Sequence, residues 1–154
     1  MTFKLSANSM SKMTGIKNEL HTIVCEAIRH STVDFGVICG KRSEAEQREL
    51  VAKGASQTMK SKHLTGDAVD LMAYVQVDGK SRASWELNLY DDIADAMKQA
   101  AKNNNVKIRW GAAWHIDNFA EYEGTAEDAM NDYIDLRRSQ GRRPFIDGPH
   151  FELN

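Results

Sequence analysis

Apolar residues recur at Ile16, Leu20, Ile23, Val24, Ala27 and Ile28, the stripe of an amphipathic helix, and predict a helix that ends near His30. The run VDFGVIC at 33–39 has the apolar, β-branched character of a strand, and Gly40 breaks it. Ser43 with Glu46 three residues later is a capping-box pattern for a short helix that stops at Gly54. The polar QTMKSK that follows reads as a loop, AVDLMAYV at 68–75 as a buried strand, and DGK at 78–80 as a turn.

Farther along, Ser84 is placed to cap a longer helix whose apolar positions include Trp85, Leu89, Ile93, Met97 and Ala100, fraying in the run Asn103 to Asn105. VKIRW at 106–110 predicts a strand, and an acidic segment carries a helix from Thr125 to about Arg138. PHFEL at 149–153 predicts a last strand, with His150 and Glu152 on one face and Phe151 and Leu153 on the other. Helices and strands in this order, with long and uneven connections, favour an α+β fold over a doubly wound one: a central antiparallel sheet flanked by helices.

A chain of 154 residues with 42% apolar positions is expected to form one domain over 1–154, with no repeat or linker to divide it. The net charge of -2 is spread among interspersed signs, so no basic field exists to hold a nucleic-acid backbone. The opening MTFKLSANSMSKM lacks the apolar core of a secretion signal, and nowhere do ~18 uncharged apolar residues run together, which leads to the expectation of a protein made in the cytoplasm without membrane insertion. Cys25 in a helix and Cys39 in a strand read as small buried hydrophobes with free thiols.

The chemistry concentrates in SKHLTGDAVDL, where His63 and Asp70 flank a Thr-Gly turn that folds the chain back on itself. A catalytic zinc takes three protein ligands and leaves a position for water or substrate, so a third donor is needed, and His150 is the candidate. Asp67 rivals Asp70, but the two point to opposite faces of a strand and only one can join His63. Asp147, three residues before His150, is placed to exchange a proton with the attacking water and the leaving amine, although Asp-Gly is also ordinary turn chemistry.

The pattern S-x-H-x-x-G-x-A-x-D at 61–70, with a late D-x-P-H-F-E at 147–152, resembles the zinc peptidases of the D-Ala-D-Ala carboxypeptidase type, and most of all the phage endolysins of that family that are L-alanyl-D-glutamate peptidases. Gly40, Arg42, Gln47 and RWGAAW at 109–114 extend the likeness in the same order along the chain. The resemblance implies one Zn²⁺ held by His63, Asp70 and His150, with Asp147 as catalytic acid/base, in a small α+β domain whose antiparallel sheet carries the metal. It gives Arg42 a part in substrate binding and oxyanion stabilisation, a task suited to a planar, permanently charged guanidinium; otherwise Arg42 is a surface residue after a strand. Gln47 either lies on a helix surface or helps position the peptide, Trp114 either lines the groove or joins the core, and Ser61 braces the turn.

Residues 115–146 exceed the corresponding stretch of the shortest family members and read as an insertion. Its acids (Asp117, Glu121, Glu123, Glu127, Asp128, Asp132) make a second cation conceivable, but the EF-hand pattern is absent and a solvated acidic helix is the expectation. The implied function is hydrolysis of the L-Ala to D-Glu bond in bacterial peptidoglycan by a monomeric phage endolysin that reaches the periplasm from the host cytoplasm without its own signal. A D-Ala-D-Ala carboxypeptidase or dipeptidase, and a non-catalytic wall-binding domain of the same fold, are the alternatives.

Overall fold

The computed structural model describes residues 2–154. Its sheet is built around β2 (Ala68–Val77), which pairs antiparallel with β1 (Asp34–Cys39) on one side. On the other side β5 (His150–Leu153) pairs with residues 68–70 and β3 (Lys80–Ser84) with residues 73–77. A short β4 (Ile108–Trp110) extends the sheet beyond β5, giving the order β1-β2-β5-β4 with every pairing antiparallel. The expected α+β class is the one found.

Strand alternation assigns the two faces. Phe35, Val37, Val69, Leu71, Ala73, Ile108, Trp110 and Phe151 enter one apolar core, where α2 (Asn18–His30) and α4 (Leu87–Asn103) cover them with Leu20, Ile23, Val24, Ile93 and Met97. Fully burying each larger aliphatic side chain contributes roughly 1.5–3 kcal/mol. The opposite face of the same strands is left to Asp70, His150 and Glu152.

One irregularity matters for that second face. Simple alternation would put Cys39 in the core with Phe35 and Val37, but a bulge between Val37 and Cys39 shifts the register so that Cys39 pairs with Asp70. Cys39, Asp70 and His150 therefore lie side by side across three strands. Reading Cys39 as a buried structural thiol is corrected accordingly: it is half-buried and belongs to the polar face.

Two elements escape the apolar pattern. α1 (Ala7–Lys12) is a short helix capped by the Ser6 side chain. β3 is polar and mostly exposed, so it has no hydrophobic alternation; Asp78 and Gly79 both adopt positive φ (52° and 77°), the turn geometry that suits a two-residue hairpin. Ser84 accordingly ends β3, and α4 starts three residues later with Glu86 at its N-cap; Trp85 is 60% exposed instead of lying in the core. α3 (Glu44–Ala52) and α5 (Ala126–Ser139) keep their expected places, each with a complete capping box.

Residues 115–146 pack as part of the domain. Phe119, Ala120, Ala126 and Ala129 join the core, and Asp95 on α4 accepts the Ala126 backbone N–H at 2.7 Å, fixing the start of α5. From α5 the chain returns through Phe145 to the turn 147–149, which is pinned from two sides: Asp147 N–H donates to Gly111 O (2.8 Å), and Trp110 Nε1–H donates to Gly148 O (2.8 Å). A Cβ on Gly111 would lie 2.2 Å from Asp147 O, so only glycine allows this approach. Gly111→Ala is expected to destabilise the fold by about 1–3 kcal/mol and to move Asp147; denaturant unfolding beside an activity assay checks both, and an unchanged midpoint would contradict the close approach.

Candidate active site

Local hydrogen bonds and one strand register bring the polar side chains together. A 3₁₀ turn at Lys62–Thr65 leads into β2, started by Ser61, whose Oγ accepts the His63 N–H at 3.2 Å, and stopped by Gly66 in the left-handed region (φ 76°). Gly66 N–H returns to His63 O, and Arg42 N–H also donates to His63 O at 2.9 Å, so the loop after β1 and the loop before β2 are tied at this histidine. Asp67 turns away and accepts from Thr65 Oγ1, which leaves the site to Asp70. The β2–β5 register then sets His150 directly beside Asp70.

Asp70 is shared by two imidazoles. His63 Nε2 lies 3.2 Å from Asp70 Oδ2, and His150 Nδ1 lies 3.0 Å from Asp70 Oδ1. The outer nitrogens are occupied elsewhere: His63 Nδ1–H donates to Gly40 O at 2.8 Å, and His150 Nε2–H donates to Glu152 Oε1 at 2.8 Å. The other nitrogen of each ring faces the same carboxylate, donating to it when the imidazole is protonated and free to offer its lone pair to an ion when it is not. Two compact groups of possible metal ligands meet at Asp70: Cys39, His63 and Asp70 on one side, and Asp70, Asp147 and His150 on the other.

Each of the two groups has the donor chemistry to hold a metal ion. Tetrahedral coordination at about 2.0 Å separates ligand atoms by about 3.3 Å, close to both histidine-to-Asp70 spacings. Without an ion the cluster is an ion-pair network. Burial pushes the His63 imidazole down, but hydrogen bonds to Asp70 and Cys39 and the carboxylate's charge outweigh it, raising His63 to about 10. Burial likewise opposes protonation of His150, and its bonds to Asp70 and Glu152 raise it to about 9. Burial pushes Asp70 up, yet the two histidines hold it well below the usual carboxylate range.

Asp147 differs from Asp70. Burial pushes its carboxyl up, and the nearby Asp70 charge pushes it the same way, so of the two acids it is the readier to carry a proton.

The wall around these groups is a groove of about 860 Å³ that includes Arg42, His63, Asp70, Trp114, Phe145, Asp147, His150 and Glu152, with residues 54–58 and Lys60 along one edge. Arg42 Nη2 is 3.8 Å from Asp70 Oδ2 and 3.2 Å from Cys39 Sγ. The Trp114 ring lies 5.5 Å from His150 and 6.3 Å from Phe145 between centroids, and the Arg109 guanidinium sits 5.3 Å from its centre. Arg42, His63, Asp70, Trp114, Asp147 and His150 therefore share one groove.

Gln47 does not share it. The side chain is fully buried, its Oε1 accepts from Arg42 Nη1 (2.7 Å), and its Nε2 donates to Ser56 Oγ and Thr58 O. A direct contact between Gln47 and a peptide is corrected to a supporting one: it fixes Arg42 and the 56–58 edge from behind. Cys39 was missed as a neighbour of His63 and Asp70 because a bulge leaves no mark in an alternating pattern. Glu152 had a visible signal, its place two residues after His150 on the same strand face.

The chain is similar to known proteins along its whole length. The profile of the family described as phage L-alanyl-D-glutamate peptidase matches residues 1–154. The chain belongs to this family. A relative, the L-alanyl-D-glutamate peptidase of Escherichia phage T5, is 31% identical over 157 residues, covering 99% of each chain. The crystal structure of the Serratia marcescens L-Ala D-Glu endopeptidase ChiX superposes with a TM-score of 0.69 at 34% identity, covering 96% of this chain and 87% of that one. The family profile and the phage relative both run through the 115–146 segment.

The raised histidines give the metal-free protein a defined pH response. Their stabilising ion pairs with Asp70 are fully present below the unfolded histidine value of about 6.5 and are lost as pH rises through the folded values of about 9 and about 10. The melting temperature of metal-free protein is expected to fall between about pH 7 and about pH 10, and to fall less in His150→Ala. Equal slopes in the two proteins, measured by calorimetry, would contradict the network.

Proposed function

We propose that this chain is a zinc endopeptidase that hydrolyses the L-alanyl–D-glutamate bond of the peptidoglycan stem peptide. The observation that carries the reading is the Asp70 carboxylate flanked by two imidazole nitrogens, with the Asp147 carboxyl beside it in an open groove. Full-length membership in a family of L-alanyl-D-glutamate peptidases supports the bond assignment.

His63 Nε2, an Asp70 oxygen and His150 Nδ1 would hold the ion, a two-nitrogen, one-oxygen set typical of catalytic rather than structural zinc. A zinc ion there supplies Lewis acidity to the scissile carbonyl and to the attacking water. Asp147 accepts the water proton and delivers it to the departing D-Glu amine, a double role that a carboxyl with a raised pKa performs well. Arg42, held by Gln47, directs its guanidinium into the groove where negative charge develops on the carbonyl oxygen. Trp114 and Phe145 form the apolar edge against which the peptide lies.

No helix among the described residues is long and apolar enough to cross a membrane. In this reading a monomer acts as an endolysin, reaching a thin Gram-negative wall from the host cytoplasm through a membrane hole made by another protein.

Mass spectrometry of fragments from purified Gram-negative peptidoglycan tests the reading. New L-Ala and D-Glu ends that vanish on chelation are expected; release of D-Ala alone, or no fragments, would overturn it. His150→Ala is expected to lose zinc and activity together, seen by metal analysis beside turnover. Asp147→Asn is expected to retain zinc while kcat falls by at least about 100-fold, because an amide cannot accept the proton; fast turnover would remove Asp147 from its role.

A further inference from the structure

His63 and His150 turn different nitrogens toward Asp70, and different acceptors hold their outer N–H groups. For His63 the acceptor is a backbone carbonyl, Gly40 O. For His150 it is a buried carboxylate, Glu152 Oε1, 2.8 Å from Nε2. Glu152 is only 7% exposed, and a carboxylate so enclosed needs cationic partners. Lys62 Nζ lies 3.3 Å from its Oε2, and Arg109 Nη1 lies 3.8 Å from the same oxygen.

Strand pairing on two sides and the Lys62 side chain on a third fix this arrangement. Glu152 pairs in register with Ala68 of β2 and with Arg109 of β4, and Lys62 also donates to Leu153 O. Lys62 precedes His63, so the segment carrying one histidine also supports the acid that holds the other.

We propose that Glu152 is the positioning residue for His150: it fixes the ring with its proton on Nε2, so that Nδ1 is the nitrogen presented to the metal, and Lys62 with Arg109 hold Glu152 in place for that task. The inference rests on the zinc site assigned above. A carboxylate at a ligand's outer N–H fixes the tautomer and strengthens the inner nitrogen as a donor, and loss of such a partner costs about 10–100-fold in metal affinity or activity. A carboxylate supplies more of this effect than the neutral carbonyl on His63, so the two histidines are unequal ligands.

The test uses full-length protein carrying isotope-labelled histidine rings and an NMR-active cadmium isotope in place of zinc, with zinc affinity measured by chelator competition. Wild-type protein is expected to show metal coupling to Nδ1 of His150 and to Nε2 of His63. Glu152→Gln keeps the size and an acceptor oxygen but removes the charge, and is expected to weaken zinc binding by about 10-fold or more, with Glu152→Ala weaker still. Metal coupling through His150 Nε2, or zinc affinity in Glu152→Gln within about twofold of wild type, would overturn the proposal. His150→Ala separates the two levels: unchanged zinc affinity there overturns the ligand set itself. Zinc lost from His150→Ala but kept at wild-type affinity in Glu152→Gln overturns only the part given to Glu152.

Discussion

Antiparallel pairing of β2 with β5 sets Asp70 directly beside His150, and the turn that feeds β2 returns His63 to the other oxygen of the same carboxylate. A slip of one residue in that pairing would move His150 into the core and Phe151 onto the polar face. The register is held from the apolar side, where Val69, Phe151 and Trp110 are buried together beneath α2 and α4. Burial of the hydrophobic face thus locates the polar chemistry on the other, and the helices contribute to the site without touching it.

The environment divides the work between two carboxylates. Asp70, between two imidazoles, is held ionised, and Asp147, enclosed and near Asp70's negative charge, is pushed toward its protonated form. In the proposed reading Asp70 is the charged metal ligand and Asp147 the proton carrier, the two roles that metal-assisted amide hydrolysis asks of neighbouring acids. Their separation in role depends on backbone as much as on charge: the 147–149 turn stays in place because Gly111 lets Asp147 O approach where any Cβ would collide. The 115–146 segment serves the same end, since α5 docks on α4 and returns Phe145 to the groove wall beside Trp114.

Much of this was legible in the residues. Strong apolar periodicity marked α2 and the core of α4, and short β-branched runs marked β1 and β2, because these segments bury one face and their sequences record it. β3 left no such record: KSRAS is exposed on both faces, and only its pairing with β2 makes it a strand. The spacing around the Thr-Gly turn and the late D-x-P-H-F-E pattern pointed to the groups that share the groove. Gln47 and Cys39 were misplaced for different physical reasons. Nothing in a helix surface pattern reveals that an amide folds inward beneath an arginine, and nothing in a strand pattern reveals a bulge that turns the next side chain over.

Asp70 is the common vertex of two ligand groups, one containing Cys39 and the other containing His150, so the identity of the third ligand decides the chemistry. Anomalous diffraction at the zinc absorption edge from crystals of the zinc-loaded protein reads that identity directly. The account predicts one peak, about 2.0–2.1 Å from His63 Nε2, an Asp70 oxygen and His150 Nδ1, with its open side toward Asp147. A peak bonded to Cys39 Sγ, or one that leaves His150 uncoordinated, would contradict it.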